Sequence, residues 1–266
     1  GLQIAFKDYK GALGIAGSRW VGLKHFRSFF NSYNFLQLLR NTLALSLYSL
    51  AAGFPLPILL ALLLNETKSR FKRFSQTVLY APHFISMVVM VGMLNTLFSP
   101  SMGVINTLRE ALGMERYYYM AQPSAFRHLY VWSGVWQNIG WDAVIYLAAL
   151  SAVDPSLHDA AMIDGASRIQ RITHINLPTI LPSIVILFIM AVGRVASVGY
   201  EKVYLLQNDL NVDVSEVIST YVYKRGVLNS NYSFSTAVGL FNNVVNIALL
   251  LMANFISRRL GETSLF

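Results

Sequence analysis

The sequence predicts an all-helical protein that crosses a membrane several times. Of its 266 residues, 55% are hydrophobic and only 13% are charged, whereas soluble globular chains carry roughly 25% charged residues. The hydrophobic residues fall in blocks, and five blocks reach the length of about 20 mainly apolar residues that a helix needs to cross a bilayer. The composition, the clustering of hydrophobic residues along the chain and the length of the clusters therefore all predict a polytopic membrane protein.

The predicted spans are 41–64, 78–98, 129–153, 180–198 and 235–256. Pro55 and Pro57 lie inside the first span, where we expect a kink and not an end, because transmembrane helices tolerate proline when neighbouring groups satisfy the freed carbonyls. The chain begins at Gly1 without a methionine, on an apolar stretch. A further helix ahead of the first visible span is therefore expected, which would give six spans in all.

The connection at 65–77 sets the predicted orientation, because short basic loops face the cytoplasm. Alternation then places 154–179 and the tail after Ser257 inside, and 99–128 and 199–234 outside. Short helices are expected at 103–113 and 213–223, and no repeat or linker divides the single membrane domain 1–266. The charged residues of the connection are one acid and four bases, namely Glu66, Lys68, Arg70, Lys72 and Arg73.

Catalytic signatures are absent from the sequence. It contains no GxxxxGK[ST] phosphate loop, no HExxH, no GxSxG and no histidine cluster at metal-ligand spacing, and Gly11, Gly14 and Gly17 lack the lysine and following helix of a phosphate loop. The net charge is +8, and the lysines and arginines that carry it lie between the apolar blocks and not in one basic stripe. This distribution is typical of residues that set the orientation of a membrane protein and not of a nucleic-acid-binding surface. We expect no enzymatic activity, no metal site and no bound cofactor.

The polar segment 153–178 is the most informative part of the chain. Asp154 can cap a helix with Pro155 at its first position, and the next apolar and small residues repeat at helical spacing. Gly165 can adopt the left-handed conformation that ends such a helix. A second short amphipathic turn, starting at Ile169, is expected to stop before Pro178. We therefore expect the segment 153–178 to form a helix, a sharp turn and a second helix that together dock another protein. The alternative, usual for a connection of this length, is a solvated loop.

The residue order in this segment resembles the EAA motif of ABC-importer permeases. The match runs Asp159-Ala-Ala-x-x-Asp-Gly165-Ala and continues with Ile175-x-Leu177-Pro178; Asp159 stands where the family has glutamate. Further stretches look like the carbohydrate permeases of the maltose type, and 5–9 and 262–266 look most like the branch that imports polysaccharide fragments such as aldouronate or pectin-derived oligosaccharides. The further stretches are 20–26, 41–42, 103–106, 136–141 and 146–150.

The resemblance implies a type I ABC-importer permease bundle in the bacterial cytoplasmic membrane. It implies a second related permease, two ATPase subunits that bind ATP and Mg²⁺, and an extracellular sugar-binding protein. The helix after Asp154 would be the coupling helix, and Asp159 either pairs with a basic group of the ATPase or orients the second loop helix. The residues expected to couple to the ATPase are Asp159, Ala160, Ala161, Asp164, Gly165, Ala166, Leu177 and Pro178.

Polar and aromatic residues near the outer halves of the spans mark a candidate solute pathway. Ionisable residues at mid-membrane cost roughly 2.5 to 3.5 kcal/mol, so Asp142 and Arg194 either form a structural ion pair or line the pathway. Aromatic faces beside amides suit sugar rings, although tryptophans also form interface belts. The candidates are Trp136, Gln137, Asn138, Trp141, Asp142, Arg194, Tyr200 and Glu201, with Asn138 and Trp141 ranked highest.

These observations predict ATP-driven import of oligosaccharides or polysaccharide fragments by alternating access. One alternative is an ABC permease for another solute. A second is a channel or ion-coupled transporter that uses Asp142 and Arg194 as a relay and needs no ATP hydrolysis. An intramembrane enzyme is disfavoured, because the sequence offers no convincing catalytic pair.

Overall fold

The computed structural model describes residues 1–259, 264 and 265, and it confirms the all-helical class. In this described part the strands are β1 (Lys7–Asp8) and β2 (Arg19–Trp20), which pair antiparallel with Lys7 opposite Trp20. Around them lie 3-10 helices at Leu2–Phe6 and Gly11–Leu13, and helices α1 (Gly14–Gly17) and α2 (Lys24–Phe30). Most of the segment 262–266, which the resemblance used, falls outside the described residues.

Helices follow one another through the rest of the chain. Two 3-10 helices, Ala81–Phe84 and Tyr119–Ala121, and two π-helices, Ile172–Asn176 and Lys224–Leu228, lie between the α-helices. The α-helices are α3 (Phe35–Gly53), α4 (Pro55–Asn65), α5 (Ser69–Tyr80), α6 (Met87–Leu97), α7 (Val104–Ala111), α8 (Pro123–Leu150), α9 (Pro155–Ile163), α10 (Arg168–Arg171), α11 (Leu177–Val192), α12 (Tyr200–Leu206), α13 (Val212–Ser215), α14 (Ile218–Tyr223) and α15 (Tyr232–Arg259).

Three stretches of the described chain are long and apolar enough to cross a membrane. They are Phe35–Asn65, Arg168–Val192 and Tyr232–Arg259, and a fourth is added if the helical pieces on either side of the break at Ile85 and Ser86 count as one span. These stretches expose large apolar side chains, such as Leu63 at 65%. Such surfaces suit a hydrocarbon solvent.

The structure differs from several predicted span limits. The first span is interrupted at Phe54, because α3 ends at Gly53 and Pro55 occupies the first position of α4, where its missing N–H costs no hydrogen bond. The kink itself stays a prediction. The connection at 65–77 is not a plain loop, since most of it forms α5, whose arginines and lysines are good helix formers.

The third predicted span is a 28-residue helix, α8. It is not among the stretches that length and composition select within the described chain. Its middle part carries polar residues at Ser133, Gln137, Asn138 and Asp142, which lower its hydropathy. Length alone still allows α8 to cross a bilayer, because 28 residues exceed the roughly 20 that a span requires.

Contacts divide the chain into two compact units, and the prediction of one membrane domain stays a prediction. The first unit comprises 1–47, 86–130 and 194–249, and the second comprises 48–85, 131–193 and 250–266. A cluster of buried residues lies in the first unit, where Phe29 packs edge-on against Phe35 and Phe234. The remaining buried members of this cluster are Leu38, Ile218, Tyr221 and Val238.

The second unit has its own core, formed where α4, α8 and α11 pack. Because lipid tails are as apolar as these side chains, close packing and not the hydrophobic effect holds the cluster together in a membrane. Tyr146 and Ile180 are almost completely buried in it, at 3% and 0% exposure. The other buried members are Ala61, Leu62, Leu64, Ala143, Leu147 and Leu150.

The two short helices expected outside the spans are formed differently. The first is confirmed as α7, which begins after Gly103. The second is broken into α13 and α14, because Thr220 Oγ1 accepts a hydrogen bond from Val217 N at 3.1 Å and so starts a new helix. The Asn41 side-chain amide donates to the carbonyls of Asp213 and Glu216 and holds this break in place.

Candidate functional site

A cluster of aromatic and amide side chains lies on α8 and the 3-10 helix Ala81–Phe84, both in the second unit. The Trp141 ring stacks on the His83 imidazole with centroids 4.6 Å apart and planes 2° from parallel. Phe84 meets Trp141 edge-on at 5.9 Å. Trp141 was predicted from the sequence, whereas His83 was not. The available signal for His83 was its position beside Pro82 in an apolar block.

Hydrogen bonds fix the orientation of this cluster. His83 Nδ1 lies 3.0 Å from Asn138 Oδ1, an amide oxygen that can only accept, so His83 is the donor. The Asn138 amide donates in turn to Gly134 O at 3.0 Å. Gln137 Nε2 donates to Ile85 O at 2.8 Å and satisfies a carbonyl that the helix break leaves without a helical partner.

Gly140 allows α5 and α8 to approach closely. A Cβ atom added at Gly140 would lie 2.5 Å from the carbonyl carbon of Leu79 and 3.0 Å from its Cβ atom. Both are shorter than ordinary van der Waals contacts, so no residue except glycine fits without movement of backbone. This close approach brings His83, four residues after Leu79, within stacking distance of Trp141.

The aromatic faces of the cluster are half exposed. Trp141 is 46% exposed and Trp136 is 47% exposed, whereas Gln137 is buried at 5%. Asp142, next to Trp141, is also exposed. A half-exposed aromatic face with amide groups held beside it can stack on an apolar ring face and offer hydrogen bonds to its rim. Trp132, in contrast, donates from Nε1 to the Tyr48 hydroxyl at 2.8 Å.

The remaining pathway candidates lie in the first unit. Arg194 is exposed, and it lies in a turn after α11 and not inside a helical span as predicted, because α11 ends at Val192. Tyr200 begins α12 and stacks on Tyr223 at 4.9 Å, with Glu201 next to it. Since Asp142 and Arg194 belong to different units, their ion pair stays a prediction.

Asn246 stabilises the non-helical stretch between α11 and α12. Its Oδ1 atom accepts from Ala196 N at 3.0 Å, and its amide donates to Ser197 Oγ at 2.6 Å. For Asn246 the contact is with backbone, which requires such a partner wherever a helix is interrupted inside a membrane.

A buried lysine lies in α12. Lys202 is 5% exposed, and its Nζ atom donates to Tyr130 O at 2.7 Å and lies 4.6 Å from the centroid of the Tyr130 ring. Burial lowers the pKa of Lys202 to about 8. Nothing in the sequence pattern distinguished this lysine from surface ones.

The segment 153–178, which is the expected coupling loop, begins with the helix that the sequence predicts. Asp154 Oδ1 accepts a hydrogen bond from Ser156 N at 2.9 Å, and this bond lowers the pKa of the Asp154 carboxyl group. Pro155 occupies the first position of α9. The predicted cap and the predicted start are therefore both confirmed.

The end of α9 is a Schellman motif built on Gly165. Gly165 has φ +79°, its N–H donates to Met162 O at 3.1 Å, and Ala166 N donates to Ala161 O at 2.8 Å. These are the two hydrogen bonds that define the motif. A Cβ atom at Gly165 would meet nothing within 4 Å, so within this chain the glycine is required by its backbone conformation alone.

The surface of α9 has no buried residue. Leu157 and Met162 are each 51% exposed and Ile163 is 88% exposed, so α9 presents apolar side chains at its surface. Ala161 and Ala166 are half-buried. The other coupling candidates on this segment, Asp159, Ala160, Asp164 and Gly165, are exposed.

The second loop helix does not stop before Pro178, so that prediction is wrong. A capping box starts α10, with Ser167 N donating to Gln170 Oε1 at 2.7 Å and Gln170 N to Ser167 Oγ at 3.4 Å. The helix then passes through the π-helix Ile172–Asn176 into α11, whose first residues are Leu177 and Pro178. A proline ring clashes with the carbonyl four residues back in a regular α-helix, and the wider π-helical turn relieves that clash.

A family model described as "Binding-protein-dependent transport system inner membrane component" matches residues 53–262. The chain is also 45% identical over 267 residues to the polygalacturonan/rhamnogalacturonan transport system permease protein YteP of Bacillus subtilis (strain 168), an alignment that covers 100% of this chain and 83% of that protein. It is 43% identical to Protein LplB of the same organism, with coverage of 100% and 84%.

Solved structures are similar as well. A crystal structure of a bacterial alginate ABC transporter in complex with an alginate pentasaccharide-bound periplasmic protein contains a chain that is 41% identical to this one, with a TM-score of 0.90 and coverage of 100% of this chain and 88% of that chain. A second structure, of a bacterial ABC transporter involved in the import of the acidic polysaccharide alginate, gives 42% identity and a TM-score of 0.89, with coverage of 97% and 87%.

Proposed function

Because the chain belongs to the family of binding-protein-dependent transport system inner membrane components, we propose that it is the permease subunit of an ATP-driven importer of oligosaccharides or polysaccharide fragments. The resemblance to ABC-importer permeases that residues 159–178 suggested is confirmed at the level of the family. The observation that carries the proposal is the exposed helix α9, capped at both ends by its own residues, at the position of the EAA motif.

The proposed cargo is a fragment of an acidic polysaccharide. The name of one relative refers to polygalacturonan and rhamnogalacturonan, and two similar structures are of alginate transporters. The half-exposed Trp141 and the Asn138 and His83 side chains beside it provide the stacking face and hydrogen bonds that a pyranose ring needs. Arg194, exposed in the turn after α11 and in the first unit, stays a separate pathway candidate.

ATP hydrolysis is assigned to partner subunits. Two ATPase copies, with ATP and Mg²⁺, would bind α9, whose exposed apolar side chains and small residues allow a close protein contact. A second, related permease and an extracellular sugar-binding protein complete the proposed complex. The chain itself binds no nucleotide in this proposal. ATP-driven closure of the partner ATPase subunits rotates the membrane helices, and this rotation exposes the solute site alternately to each side of the membrane.

The proposed orientation has the C-terminus in the cytoplasm. Arg258 and Arg259 are exposed in the last turn of α15, and the bases of α5 flank an apolar span in the same way. Both groups of bases lie on the cytoplasmic side in this orientation, as the positive-inside rule requires.

The test is ATP hydrolysis and uptake by the reconstituted complex, with and without the binding protein loaded with a galacturonan oligosaccharide. Gly165→Asp should abolish most sugar-stimulated hydrolysis. Gly165→Asn has the same size and also tolerates the left-handed conformation, so a comparison of the two variants separates the effect of charge from that of bulk. If both variants retain full stimulated hydrolysis and uptake, the coupling assignment is wrong. Uptake by the wild-type complex without ATP would instead favour an ion-coupled transporter.

A malto-oligosaccharide serves as the neutral control in the same assay. If it stimulates hydrolysis as well as galacturonan and alginate oligosaccharides do, the acidic cargo class is wrong. If only a non-sugar solute stimulates hydrolysis, the chain is still part of an ATP-driven importer, but the assignment of a sugar cargo is wrong.

A further inference from the structure

Glu66 connects the end of one membrane span to the helix that follows the coupling loop. It is the C-cap of α4, where its backbone N–H donates to Leu63 O at 3.2 Å and the next residue, Thr67, donates from its N–H to Leu64 O at 3.2 Å. Its carboxylate faces Arg171 at the end of α10 and Asn176 in the π-helix. The three residues all belong to the second unit, and none of them was selected by the resemblance to the EAA motif.

The contacts of this carboxylate are long. Arg171 Nη2 lies 3.9 Å from Glu66 Oε2, and Asn176 Nδ2 lies 3.4 Å from Glu66 Oε1. Among the residues that the structure describes in the second unit, this is the one ion pair. A charge-assisted hydrogen bond is typically about 2.7 to 2.9 Å long, so the pair is close enough to attract but has room to tighten.

Two polar atoms beside the carboxylate are buried without a hydrogen-bond partner. They are Asn176 Oδ1 and Arg171 Nε. Asn176 is completely buried, at 0% exposure, and the Arg171 and Glu66 side chains are only 15% and 20% exposed. Leaving such atoms unpaired costs free energy, so a small shift of α10 that pairs Arg171 more fully is favourable.

The apolar core nearby does not depend on this carboxylate. Leu62 and Leu64 of α4 pack in the same buried cluster as Ile180 of α11, and Ile172 and Leu177 pack against that cluster. Removing the charge of Glu66 therefore leaves the helices packed. What it removes is the directional link between the coupling loop and the end of α4.

We propose that Glu66 is a positioning residue for transport, which tightens onto Arg171 and Asn176 when the partner ATPase moves the coupling loop and thereby transmits that motion to the span that ends at Asn65. This inference rests on the proposed function. The small residues of α9 make the contact with the ATPase, and the Glu66 carboxylate passes its displacement to the membrane helices. Without the carboxylate, ATP hydrolysis continues and the membrane helices follow it poorly.

The test is the number of sugar molecules imported per ATP hydrolysed by the reconstituted complex. For Glu66→Gln we expect this ratio to fall about tenfold, the size of effect associated with one hydrogen bond to a charged group, while hydrolysis and assembly with the ATPase stay within about twofold of wild type. Assembly and hydrolysis close to wild type exclude a purely structural defect, because a misfolded permease would not assemble with the ATPase.

Two further variants complete the experiment. The exchange Glu66→Arg with Arg171→Glu should return the ratio to within about threefold of wild type, since it restores opposite charges at the same positions. Glu110→Gln removes the acid of the exposed Glu110–Arg116 ion pair in the first unit and should leave the ratio unchanged.

An unchanged ratio in a well-assembled Glu66→Gln complex, or a failure of the exchange to restore it, overturns the role of Glu66 and leaves the importer function intact. A wild-type complex in which sugar stimulates no hydrolysis overturns the proposed function itself. The two failures are therefore distinguishable.

Discussion

Substituting Gly140 by alanine tests whether the close approach of α5 and α8 builds the aromatic cluster. The new Cβ atom would lie 2.5 Å from the Leu79 carbonyl carbon, against an ordinary contact of 3.4 Å or more, so the helices must separate locally by about 1 Å. The obstacle is backbone, which cannot rotate away as a side chain does. Overpacking costs about 1 to 3 kcal/mol, and the better helix propensity of alanine returns up to about 1 kcal/mol, which gives a net loss of about 2 kcal/mol.

The assay is thermal unfolding of the purified chain in detergent, followed by uptake in the reconstituted complex. A loss of about 2 kcal/mol lowers Tm by roughly 4 to 8 °C in a chain of this size. Separation by about 1 Å also lengthens the 4.6 Å stack of His83 on Trp141, so uptake should fall with Tm. Gly53→Ala in α3 is the control, because its Cβ would meet nothing within 4 Å. A Gly140→Ala chain with wild-type Tm and uptake would refute the reasoning.

Three other substitutions test separate parts of the molecule. Burial lowers the pKa of Lys202 from 10.5 to about 8, so between these pH values the unfolded chain binds more protons than the folded chain. The free energy of unfolding should therefore rise by on the order of 3 kcal/mol from pH 8 to 10.5. Denaturation of wild type and Lys202→Gln over this range tests it, and an equal dependence of the free energy of unfolding on pH in both chains contradicts it. Asn246→Leu leaves the Ala196 N–H unpaired and should cost about 1 to 3 kcal/mol, measured by thermal unfolding; an unchanged Tm would contradict it. Trp141→Ala should raise the half-saturating sugar concentration for uptake up to about tenfold and Trp141→Phe less than about threefold, and equal effects of the two would exclude stacking.

Local sequence signals predicted helix α9 and its two ends closely. Asp154, Pro155 and Gly165 each act through atoms within a few residues of themselves, so their roles can be inferred from order along the chain. Pro55 is similar, since a proline affects its own turn of helix wherever that helix lies. The structure agrees with these local predictions because no contact with residues far along the chain changes the local backbone conformation there.

Features that depend on distant residues could not be predicted. His83 became part of the site only because Gly140, far along the chain, brings α8 against α5. Pro178 was expected to end a helix, and the π-helix before it allowed the helix to continue. Arg194 was placed inside a span because hydropathy extends past Val192. In the structure the hydrogen bonds of Asn246 to the Ala196 N–H and the Ser197 hydroxyl stabilise an interruption there.

The caps of α9 also bear on how tightly a partner can bind it. Association normally carries an entropic cost for ordering flexible segments at the interface, of about 0.5 to 1.5 kcal/mol for each mobile side chain and more for backbone. The Asp154 cap and the Schellman turn at Gly165 already fix the backbone at both ends of this nine-residue helix. A partner therefore meets a preorganised surface, and a small contact area is enough for an interaction that survives repeated cycles of movement.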